Sequence, residues 1–394
     1  MIFLGCLFNK KNEDCYLAKS KVGLSNAANT FQWNLIDGLI SETENGFKIF
    51  NILPVGIFPL QYKDLILNNI SWKYENADCF EIGCVNLPFI KQYQRYKKCY
   101  KLLKNNQDKE IVVYSAYLPF LRAISKLDKS YNITLIVTDL PEFYDLGKTN
   151  LLKKYLRERN NKKIYKCMKR VNNFVLLTEQ MKEPLKVGNR PYIVVEGICN
   201  SENMTKELNC EESKEKIILY TGTLHKKFGI GNLISAFSLI DSPDYRLWIC
   251  GGGDMKDEII NASEKDSRIT FYGYVSKEKA SELQQKATVL VNPRQNNDEF
   301  TKYSFPSKTM EYMASGKPVI MYKLDGIPAE YDEFLFYPAS DSAKSLAESI
   351  TNICEKTSEE RFKLGERARN FVLNEKNGSK QAEKILGLIK IRKS

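Results

Sequence analysis

Short, continuously apolar runs recur along the whole chain, and stretches with helical spacing separate them. These runs lack the alternation of apolar and polar residues that marks a half-exposed strand, so we expect strands buried on both faces. Strands of that kind form parallel sheets with helices on both sides. The predicted strands of the first half are 2–7, 48–53, 79–85, 111–114, 133–138, 174–177 and 192–195. Those of the second half are 216–220, 246–250, 269–271, 288–291 and 318–322.

Each half is therefore interpreted as a doubly wound α/β domain, since 394 residues exceed what one ordinary core holds. The predicted domains are 1–197 and 216–380, joined by a polar, acid-rich linker at 198–215. A final helix at 381–394 has its apolar residues at helical spacing and could pack back on the N-terminal domain or on the second one. Two such domains that face one another bind ligands at the carboxyl ends of their strands.

Composition narrows the classes of function. Apolar residues make up 43% and charged residues 27%, as in globular proteins, and the net charge of +11 indicates an anionic partner. The ten cysteines include no C-x-x-C pair and there is a single histidine, so neither a disulfide framework nor a zinc or other metal site is expected. Unpaired thiols favour a cytoplasmic location. No run approaches the roughly 18 apolar residues of a membrane-spanning helix, and the apolar start at 2–8 is too short for a signal peptide.

The most informative segment is 298–320, which predicts a polar loop, a short helix and a buried strand. Pro306 and Ser307 suit the start of the helix and Gly316 its end. Glu311 lies near the helix start, with Lys308 three residues before it. A carboxylate there can accept the two adjacent hydroxyls of a ribose, while the lysine and the first-turn N–H groups favour an anion. The alternative is an exposed i, i+3 ion pair.

The first strand of the second domain leads into a glycine-rich, basic loop at 221–231. Gly222, Gly229 and Gly231 let backbone N–H groups approach a ligand. Lys226 and Lys227 add charge just before a helix, an arrangement that suits a diphosphate. The alternative is that the glycines only close a turn. We interpret His225, in the same loop, as a loop residue rather than a catalyst.

Three further strand ends are expected at the same edge of the sheet. One ends in three glycines, 251–253, which leave room for a ligand or form a tight turn. Another ends at Gly273 between aromatic residues, where backbone groups could contact a base. The last opens into Arg294 and the polar loop before Glu311. Together they predict a site that binds a sugar and a diphosphate. A ligand that contains both is a nucleotide-sugar.

These motifs resemble those of retaining glycosyltransferases of family 4, whose GT-B fold has two Rossmann-like domains facing across a cleft. The resemblance covers about 216–330 and rests on the segments 220–223, 251–253, 271–275, 304–320 and 326–330. In the first domain, 138–142 and 177–181 resemble bacterial surface-polysaccharide members. The implied activity is hexosyl transfer with retention of anomeric configuration, from a UDP- or GDP-type nucleotide-sugar and without a further cofactor.

The resemblance also implies roles for particular residues. Glu311 matches the second glutamate of the family's E-x7-E motif, which holds the ribose, whereas Tyr303 occupies the first position. Asp298 or Glu299 could substitute for that missing carboxylate. Thr223 stands where the family has an arginine, so the leaving diphosphate is assigned to Lys226, Lys227, Arg294 or Lys308. The implied donor-binding residues are Gly222, Thr223, Gly251, Gly252, Tyr274, Val275, Tyr303, Ser307 and Glu311.

Acceptor-binding residues are expected at the strand ends of the first domain. Ser25, Asn26 and Asn29 lie in a polar loop before a helix, and Trp33 could stack on a sugar. The alternative is a capped helix with a buried tryptophan. Asp139 and Glu142 follow another strand end, where an acid could reach the acceptor or simply cap the next helix. The expected acceptor is a glycan or a lipid-linked saccharide.

A basic stretch at 148–170 contains ten lysines or arginines against the single acid Glu158. Apolar residues at 151, 152, 155 and 156 share one helical face with lysines beside it, which is typical of a helix resting on anionic lipid. The alternative is a solvated basic face with a core-facing stripe. The membrane interpretation places the protein peripherally on the inner face of the cell membrane.

The leading hypothesis is thus a transferase of surface polysaccharide or capsule biosynthesis. A nucleotide-sugar epimerase of the same fold is the second, although it would need acid–base pairs that the sequence does not concentrate. A non-enzymatic binder of anionic membrane or nucleic acid is the third. Nucleic acid is disfavoured because the bases concentrate in one stretch and no recognition module is present.

Overall fold

The computed structural model describes residues 1–9, 12–22, 24, 26–43, 46–143, 151–199, 214–297 and 299–391, with backbone only at 151 and 152. Ser25, Asp298, residues 148–150 and most of the predicted linker lie outside the described residues. The chain divides into two compact units. Unit 1 combines Met1–Ile198 with Gly378–Ser394, and unit 2 is Cys199–Asn377.

Unit 1 contains one large sheet and one small strand pair. Its strands are β1 (Ile2–Gly5), β2 (Lys48–Asn51), β3 (Ile66–Leu67), β4 (Ile70–Tyr74), β5 (Ala77–Glu81), β6 (Cys84–Val85), β7 (Glu110–Tyr114), β8 (Asn132–Val137), β9 (Asn173–Leu176) and β10 (Tyr192–Val194). Its helices are α1 (Glu13–Lys19), α2 (Asn26–Ser41), α3 (Ile90–Lys104), α4 (Leu118–Ile124), α5 (Leu151–Met168) and α12 (Gly378–Lys390).

The large sheet of unit 1 has the order β10-β9-β8-β7-β1-β2-β5-β4, and only β4 runs antiparallel to its neighbour. Strands β2, β5 and β4 lie on one side of β1, and strands β7 to β10 lie on the other side. The winding therefore reverses between β1 and β7. Helices α2 and α12 pack together against one face of this sheet, and α4 contacts both α3 and α5.

Unit 2 has six strands and its own set of helices. The strands are β11 (Lys216–Thr221), β12 (Tyr245–Cys250), β13 (Ile269–Gly273), β14 (Val289–Asn292), β15 (Val319–Met321) and β16 (Leu335–Phe336). The helices are α6 (Ile230–Phe237), α7 (Lys256–Lys265), α8 (Lys277–Lys286), α9 (Ser307–Ala314), α10 (Ala343–Cys354) and α11 (Ser358–Glu375).

The sheet of unit 2 is wholly parallel, in the order β13-β12-β11-β14-β15-β16. This is the Rossmann winding, and it reverses between β11 and β14. Its core packs α6 and α10 against the central strands. The predicted α/β class with two Rossmann-like domains is confirmed. Among the described helices, none is both long enough and apolar enough to span a membrane.

Candidate functional site

The two loops that flank the winding reversal of unit 2 touch each other directly. Gly229 has φ +81°, and a Cβ atom there would lie 1.9 Å from the carbonyl oxygen of Pro293. Gly251 has φ +140°, and its Cβ would lie 1.8 Å from the carbonyl oxygen of Gly222. Only glycine fits at these two positions. Gly252, by contrast, borders open space, since a Cβ atom there would meet no other atom within 4 Å. Backbone packing thus accounts for Gly251, while Gly252 leaves room for a ligand.

Helix α9 is anchored on several sides, so its polar residues have a fixed position. Met310, Met313 and Ala314 are buried, as their shared face predicts. The hydroxyl of Tyr312 accepts from the backbone N–H of Thr221 at 2.7 Å and donates to the carbonyl of the same residue at 2.9 Å. This clamp joins the middle of α9 to the carboxyl end of β11.

Glu311 sits in a small polar cluster on the outer side of α9. Lys308 Nζ lies 2.9 and 2.8 Å from its two carboxylate oxygens, and the buried Gln284 donates to Oε1 from 2.8 Å. The ion pair that the sequence left as an alternative is therefore formed. The side chains of Lys308 and Glu311 are nevertheless 39% and 40% exposed, so the carboxylate remains reachable from solvent.

The loop between β11 and α6 presents its lysines to solvent while an acid fixes its backbone. Lys226 and Lys227 are exposed. Asp254 accepts from the backbone N–H of Lys226 at 3.1 Å and lies 3.1 Å from Nδ1 of His225. Partial desolvation raises the pKa of Asp254, but these hydrogen bonds outweigh it and hold the pKa below its usual value. His225 lies in the loop, as predicted, and its ring is anchored by this carboxylate.

Arg294 and Lys227 converge on the same two aromatic rings. The Arg294 guanidinium lies 4.7 Å from the ring centre of Phe300 and 5.6 Å from that of Phe228. Lys227 Nζ lies 5.3 and 5.2 Å from these rings. Arg294 is 8% exposed and donates to Ser304 at 2.8 Å. The fold therefore brings together two cations that lie 67 positions apart in sequence, since 294 − 227 = 67.

The other predicted donor residues lie at the same edge of the sheet. Tyr274 is 85% exposed and Val275 is half-buried, directly after β13. Thr223 is exposed, and Ser307 is the exposed first residue of α9. Tyr303, where the resemblance predicts a glutamate, is half-buried, and Lys302 Nζ lies 5.0 Å from the centre of its ring. No contact in the described part of the chain identifies a carboxylate that replaces that glutamate.

In unit 1 the structure corrects two predicted acceptor residues. Trp33 is only 3% exposed and donates to the carbonyl of Phe8 at 2.9 Å, while its ring lies 4.6 Å from that of Tyr74. Asn29 is 7% exposed and accepts from the backbone N–H of Phe8 at 2.8 Å. Both side chains hold the loop after β1 from inside the unit, so neither presents a surface to a sugar.

The remaining acceptor candidates stay at the surface. Asn26 begins α2 and is exposed. Asp139 is exposed and accepts from the hydroxyl of Thr138 at 3.3 Å. Glu142 accepts from the hydroxyl of Tyr165 in α5 at 3.0 Å, which links it to the basic helix.

Sequence reasoning missed a buried charged cluster at the carboxyl edge of unit 1. Glu81, Lys91 and Arg95 are each 5% exposed or less. Lys91 donates to the carbonyls of Val55 and Gly56, and Arg95 donates to Leu53 O and to Tyr117 OH. Burial raises the pKa of Glu81 to about 7 and lowers that of Lys91 to about 7. The i, i+4 spacing of the two cations was the available signal.

Gln284, Tyr312 and Asp254 are also site residues that sequence reasoning missed. Gln284 lies on α8 and Tyr312 contacts a strand 91 residues away, so no local pattern signals either contact. Asp254 directly follows the glycines 251–253, a position that could have drawn attention to it. In the part of the chain that the structure describes, no group of three His, Cys, Asp or Glu side chains could hold a metal ion.

Comparison with known proteins agrees with this description. Residues 202–371 match the family described as glycosyl transferases group 1, a range that includes the whole candidate site of unit 2. No curated protein sequence matches the chain at a significant level.

Solved structures share the fold over the full chain at low identity. Sucrose-phosphate synthase from Thermosynechococcus elongatus has 14% identity and a TM-score of 0.68, covering 100% of this chain and 99% of that one. The lipopolysaccharide outer core galactosyltransferase WaaB in its apo form has 13% identity and a TM-score of 0.62, with 100% of each chain covered. An α,α-trehalose-phosphate synthase (UDP-forming) from Burkholderia xenovorans, in complex with glucose-6-phosphate, has 10% identity and a TM-score of 0.66 over 98% and 99%.

The site in unit 2 thus lies within a matched glycosyltransferase group 1 region, and the whole chain has the fold of GT-B glycosyltransferases.

Proposed function

We propose that this protein is a retaining glycosyltransferase that moves a sugar from a nucleotide-sugar to a glycan or lipid-linked saccharide. The observation that carries the proposal is the polar cluster on α9. A rigid helix holds Glu311 in solvent reach beside Lys308, at one edge of a Rossmann sheet whose winding reverses nearby. The carboxylate of Glu311 can accept the hydroxyls of a ribose, and the ammonium group of Lys308 beside it can bind a phosphate. These are the two parts of a nucleoside diphosphate that a protein must hold.

Glu311 is proposed to accept the two ribose hydroxyls. Gln284 and Lys308 bond to the carboxylate, but each of its oxygens has more than one lone pair. Because Gln284 is 4% exposed and cannot move freely, it holds the carboxylate in one orientation. Donor binding then requires only a change at the exposed lysine, which can turn toward a phosphate.

The departing diphosphate is proposed to lie between the β11–α6 loop and Arg294. Lys227 and Arg294 meet over Phe228 and Phe300, and Lys226 stands beside them in the sequence. Preorganised cations of this kind stabilise the charge that develops as the glycosidic bond to phosphate breaks. For retention, the departing phosphate takes the proton of the acceptor hydroxyl, so no separate protein base is assigned.

Nucleotide titration tests this function most directly. UDP or GDP should raise the melting temperature, since ligand at 100 times its Kd stabilises a folded protein by about 2.7 kcal/mol. The 2′-deoxy form of the active nucleotide should bind wild type more weakly, because one hydroxyl for Glu311 is missing. Glu311→Gln should lose this discrimination and most of its turnover with the cognate donor.

Glu282→Gln is the matched control, because Glu282 is also a helical glutamate of unit 2 paired with lysines, with a side chain 45% exposed. It should keep both nucleotide discrimination and turnover. A Glu311→Gln protein that still prefers the ribonucleotide and turns over normally would contradict the ribose assignment. Interconversion of nucleotide-sugars in the absence of any acceptor would instead indicate an epimerase.

A peripheral position on an anionic membrane is a second element of the proposal, with α5 as the contact. Its basic side chains are largely exposed, and Tyr155 is 62% exposed beside them. Ile164 and Met168, by contrast, are buried in unit 1, so the exposed apolar contribution of α5 is restricted to its N-terminal half. Such a position suits a lipid-linked acceptor and a role in surface polysaccharide synthesis.

Vesicle sedimentation tests the role of α5. Replacing Lys153, Lys154, Arg157 and Lys162 with glutamine should weaken binding to acidic vesicles, because each surface base contributes about 1 kcal/mol. The effect should shrink with added salt. Nucleotide binding, which belongs to unit 2, should not change. Equal pelleting of wild type and variant would leave α5 as a solvated helix face, and retention by nucleic acid in place of vesicles would favour the third hypothesis.

A further inference from the structure

Exposed apolar side chains are concentrated in one part of unit 1. Of the fourteen large apolar side chains exposed in the described part of the chain, nine lie between residues 17 and 93. The most exposed of these nine are Leu60 at 81%, Phe89 at 78%, Ile66 at 63% and Tyr93 at 54%, and Ile90 is exposed at 44%. Scattered single residues of this kind are ordinary, but a contiguous patch marks an interaction surface.

Backbone hydrogen bonds show that these residues come from adjoining segments. Phe58 N–H donates to the carbonyl of Asn86 at 3.0 Å, and Asn86 N–H donates to the carbonyl of Leu65 at 2.7 Å. Strands β3 and β6 pair between the same segments, with Ile66 opposite Val85. The turn that carries Leu60 therefore lies beside the start of α3, which carries Phe89 and Ile90. We call Leu60, Ile66, Phe89, Ile90 and Tyr93 the apolar patch.

The surroundings of the apolar patch are positively charged. Residues 85–107 contain six lysines or arginines and no acid, and four of these cations, Lys97, Lys98, Lys101 and Lys104, are exposed. Lys21 and Lys63, from the adjoining segments, donate to backbone carbonyls at 2.8 Å rather than to carboxylates. Lys97 lies 5.7 Å from the ring centre of Tyr93. The patch thus combines exposed apolar side chains with exposed lysines, while the nearby Asp64 is paired with Lys19 at 2.9 Å.

Phe89 combines exposure with an unfavourable backbone conformation. Its φ is +61° and its ψ −46°, a positive-φ conformation that bulky L-residues avoid, and it precedes the first residue of α3. Glycine would adopt this conformation at less cost. An aromatic side chain that is held in solvent at such a position gains nothing from the fold of unit 1 itself, which points to a partner outside the unit.

We propose that the apolar patch inserts into the surface of an anionic lipid bilayer, with the surrounding lysines on the headgroups. Apolar and aromatic side chains flanked by bases are the combination that such an interface accepts. Net charge of +11 favours the anionic surface at long range. The inference goes beyond donor chemistry and holds whichever nucleotide unit 2 binds.

The apolar patch and α5 belong to the same layer of helices, because α4 packs against both α3 and α5. In parallel α/β units a helix starts near the carboxyl edge of the sheet, so the starts of α3 and α5 point toward the same edge. The exposed Tyr155 lies in the first half of α5. The two surfaces therefore act on one bilayer, the patch through insertion and α5 through charge.

The experiment measures how the full chain partitions onto two kinds of vesicle. One contains only neutral lipid, and in the other about one third of the lipid is anionic. Leu60→Ser and Phe89→Asn should each lower the partition coefficient about tenfold, the value of withdrawing one large apolar side chain from the interface. The melting temperature of Phe89→Asn should match that of wild type, because the Phe89 side chain is 78% exposed. Leu239→Ser is the matched control, because Leu239 is 58% exposed in unit 2 and should not affect partitioning.

The salt dependence of vesicle binding distinguishes the contribution of the apolar patch from that of α5. High salt should remove most of the contribution of the α5 bases and leave that of the apolar patch. Unchanged partitioning of the Leu60→Ser, Phe89→Asn double variant would overturn the proposal. So would a wild-type dimer on gel filtration that these substitutions dissociate without altering vesicle binding, since the patch would then bind a second copy of the chain.

Discussion

The strand order reverses beside the first strand in both units, but the loop that follows this strand is held differently in each. In unit 1 the loop after β1 is held by side chains, since the backbone N–H groups of residues 6, 7 and 8 donate to Gln32, Asn51 and Asn29. In unit 2 the first part of the loop after β11 is held by main chain, because Gly222 N–H and Leu224 N–H donate to the carbonyls of residues 250 and 252. A side chain enters only further along, where Asp254 accepts from Lys226 N–H. The loop of unit 1 is thus bonded to side chains of its own unit, whereas the neighbouring loop of unit 2 leaves open space at Gly252.

Charges follow the same division. Unit 1 buries Glu81, Lys91 and Arg95 at its edge, whereas unit 2 exposes Lys226 and Lys227 and leaves Lys308 half-exposed. Arg294 is the buried cation of the candidate site in unit 2. A buried charge is satisfied within the fold and costs desolvation, but an exposed cation on a rigid frame is available to a ligand. A shared topology thus does not imply a shared use, and the two units differ in how the loop after their first strand is packed.

The largest effect is expected from Gly229→Ala, which tests whether unit 2 depends on close main-chain contact. A Cβ there would meet Pro293 O at 1.9 Å and would also strain a φ of +81°. We expect a loss of several kcal/mol, or failure to fold, since neither backbone can yield cheaply. Gly188→Ala is the control, because φ is +63° there but no atom lies within 4 Å. Equal melting temperatures for both variants would show that the contact is dispensable.

The exposed lysines of unit 2 should matter for turnover and little for stability. Lys226→Ala and Lys227→Ala are expected to differ, because only Lys227 shares the two aromatic rings with Arg294. At least one should lower turnover by roughly 10²-fold, the scale for removing a preorganised charge-stabilising group. Steady-state kinetics with the cognate donor measures this. If the double variant turns over normally, the diphosphate lies elsewhere, with Arg294 and Lys308 the next candidates.

Glu81→Gln tests the buried charged cluster of unit 1 through the pH dependence of stability. Burial raises the folded-state pKa of Glu81 from 4.5 to about 7, against the opposing effects of Asn51 and Arg95. Wild type should therefore lose stability as the pH rises from about 4.5 to 7, because the folded state holds the proton longer. The variant should lack this loss and be on the order of 2 kcal/mol more stable at pH 8. Melting temperatures at pH 5 and pH 8 measure it, with the exposed Glu42→Gln as control.

The smallest effect is expected from Tyr312→Phe, which removes the hydroxyl that joins α9 to the backbone of Thr221 in unit 2. The variant leaves the N–H and carbonyl of Thr221 without this partner in a buried position, which should cost about 1–2 kcal/mol. Chemical denaturation measures the change. Tyr337→Phe, whose hydroxyl reaches the exposed Asp332, should cost less. An equal cost for the two variants would indicate that the clamp adds nothing beyond an ordinary surface bond.

Much of the fold followed from local sequence pattern. All twelve predicted strands overlap observed ones, because strands buried on both faces have a continuous apolar run. The missed strands β3, β4 and β16 are short or exposed, and β4 at the sheet edge has only half-buried or exposed residues. The segment predicted as one strand at 79–85 contains the end of β5 and all of β6, and residues 82–83 between them belong to neither strand. Helix α12 begins at Gly378, three residues before its predicted start.

The candidate site was less predictable, since sequence shows which residues are near in the chain and not which meet in space. Glu311 and Lys308 could be paired because one helix turn joins them. Gln284, which orients the same carboxylate, belongs to another helix, and its partnership depends on the order of the strands. Trp33 and Asn29 were misassigned because a polar loop before a helix has the same composition whether it faces a ligand or closes over its own backbone.

The position of α12 has a consequence for synthesis of the chain. Its residues Ala382, Ile385, Leu388 and Ile389 complete the core of unit 1, and a Cβ at Gly38 of α2 would lie 2.1 Å from the carbonyl oxygen of Gly378. The ribosome delivers most of unit 1 first, yet this core stays open until residue 389 has emerged. Unit 2, continuous in sequence, can complete its fold before that moment. The unit translated first is therefore the last to finish folding, and its uncovered sheet face must be kept from aggregation while unit 2 is made.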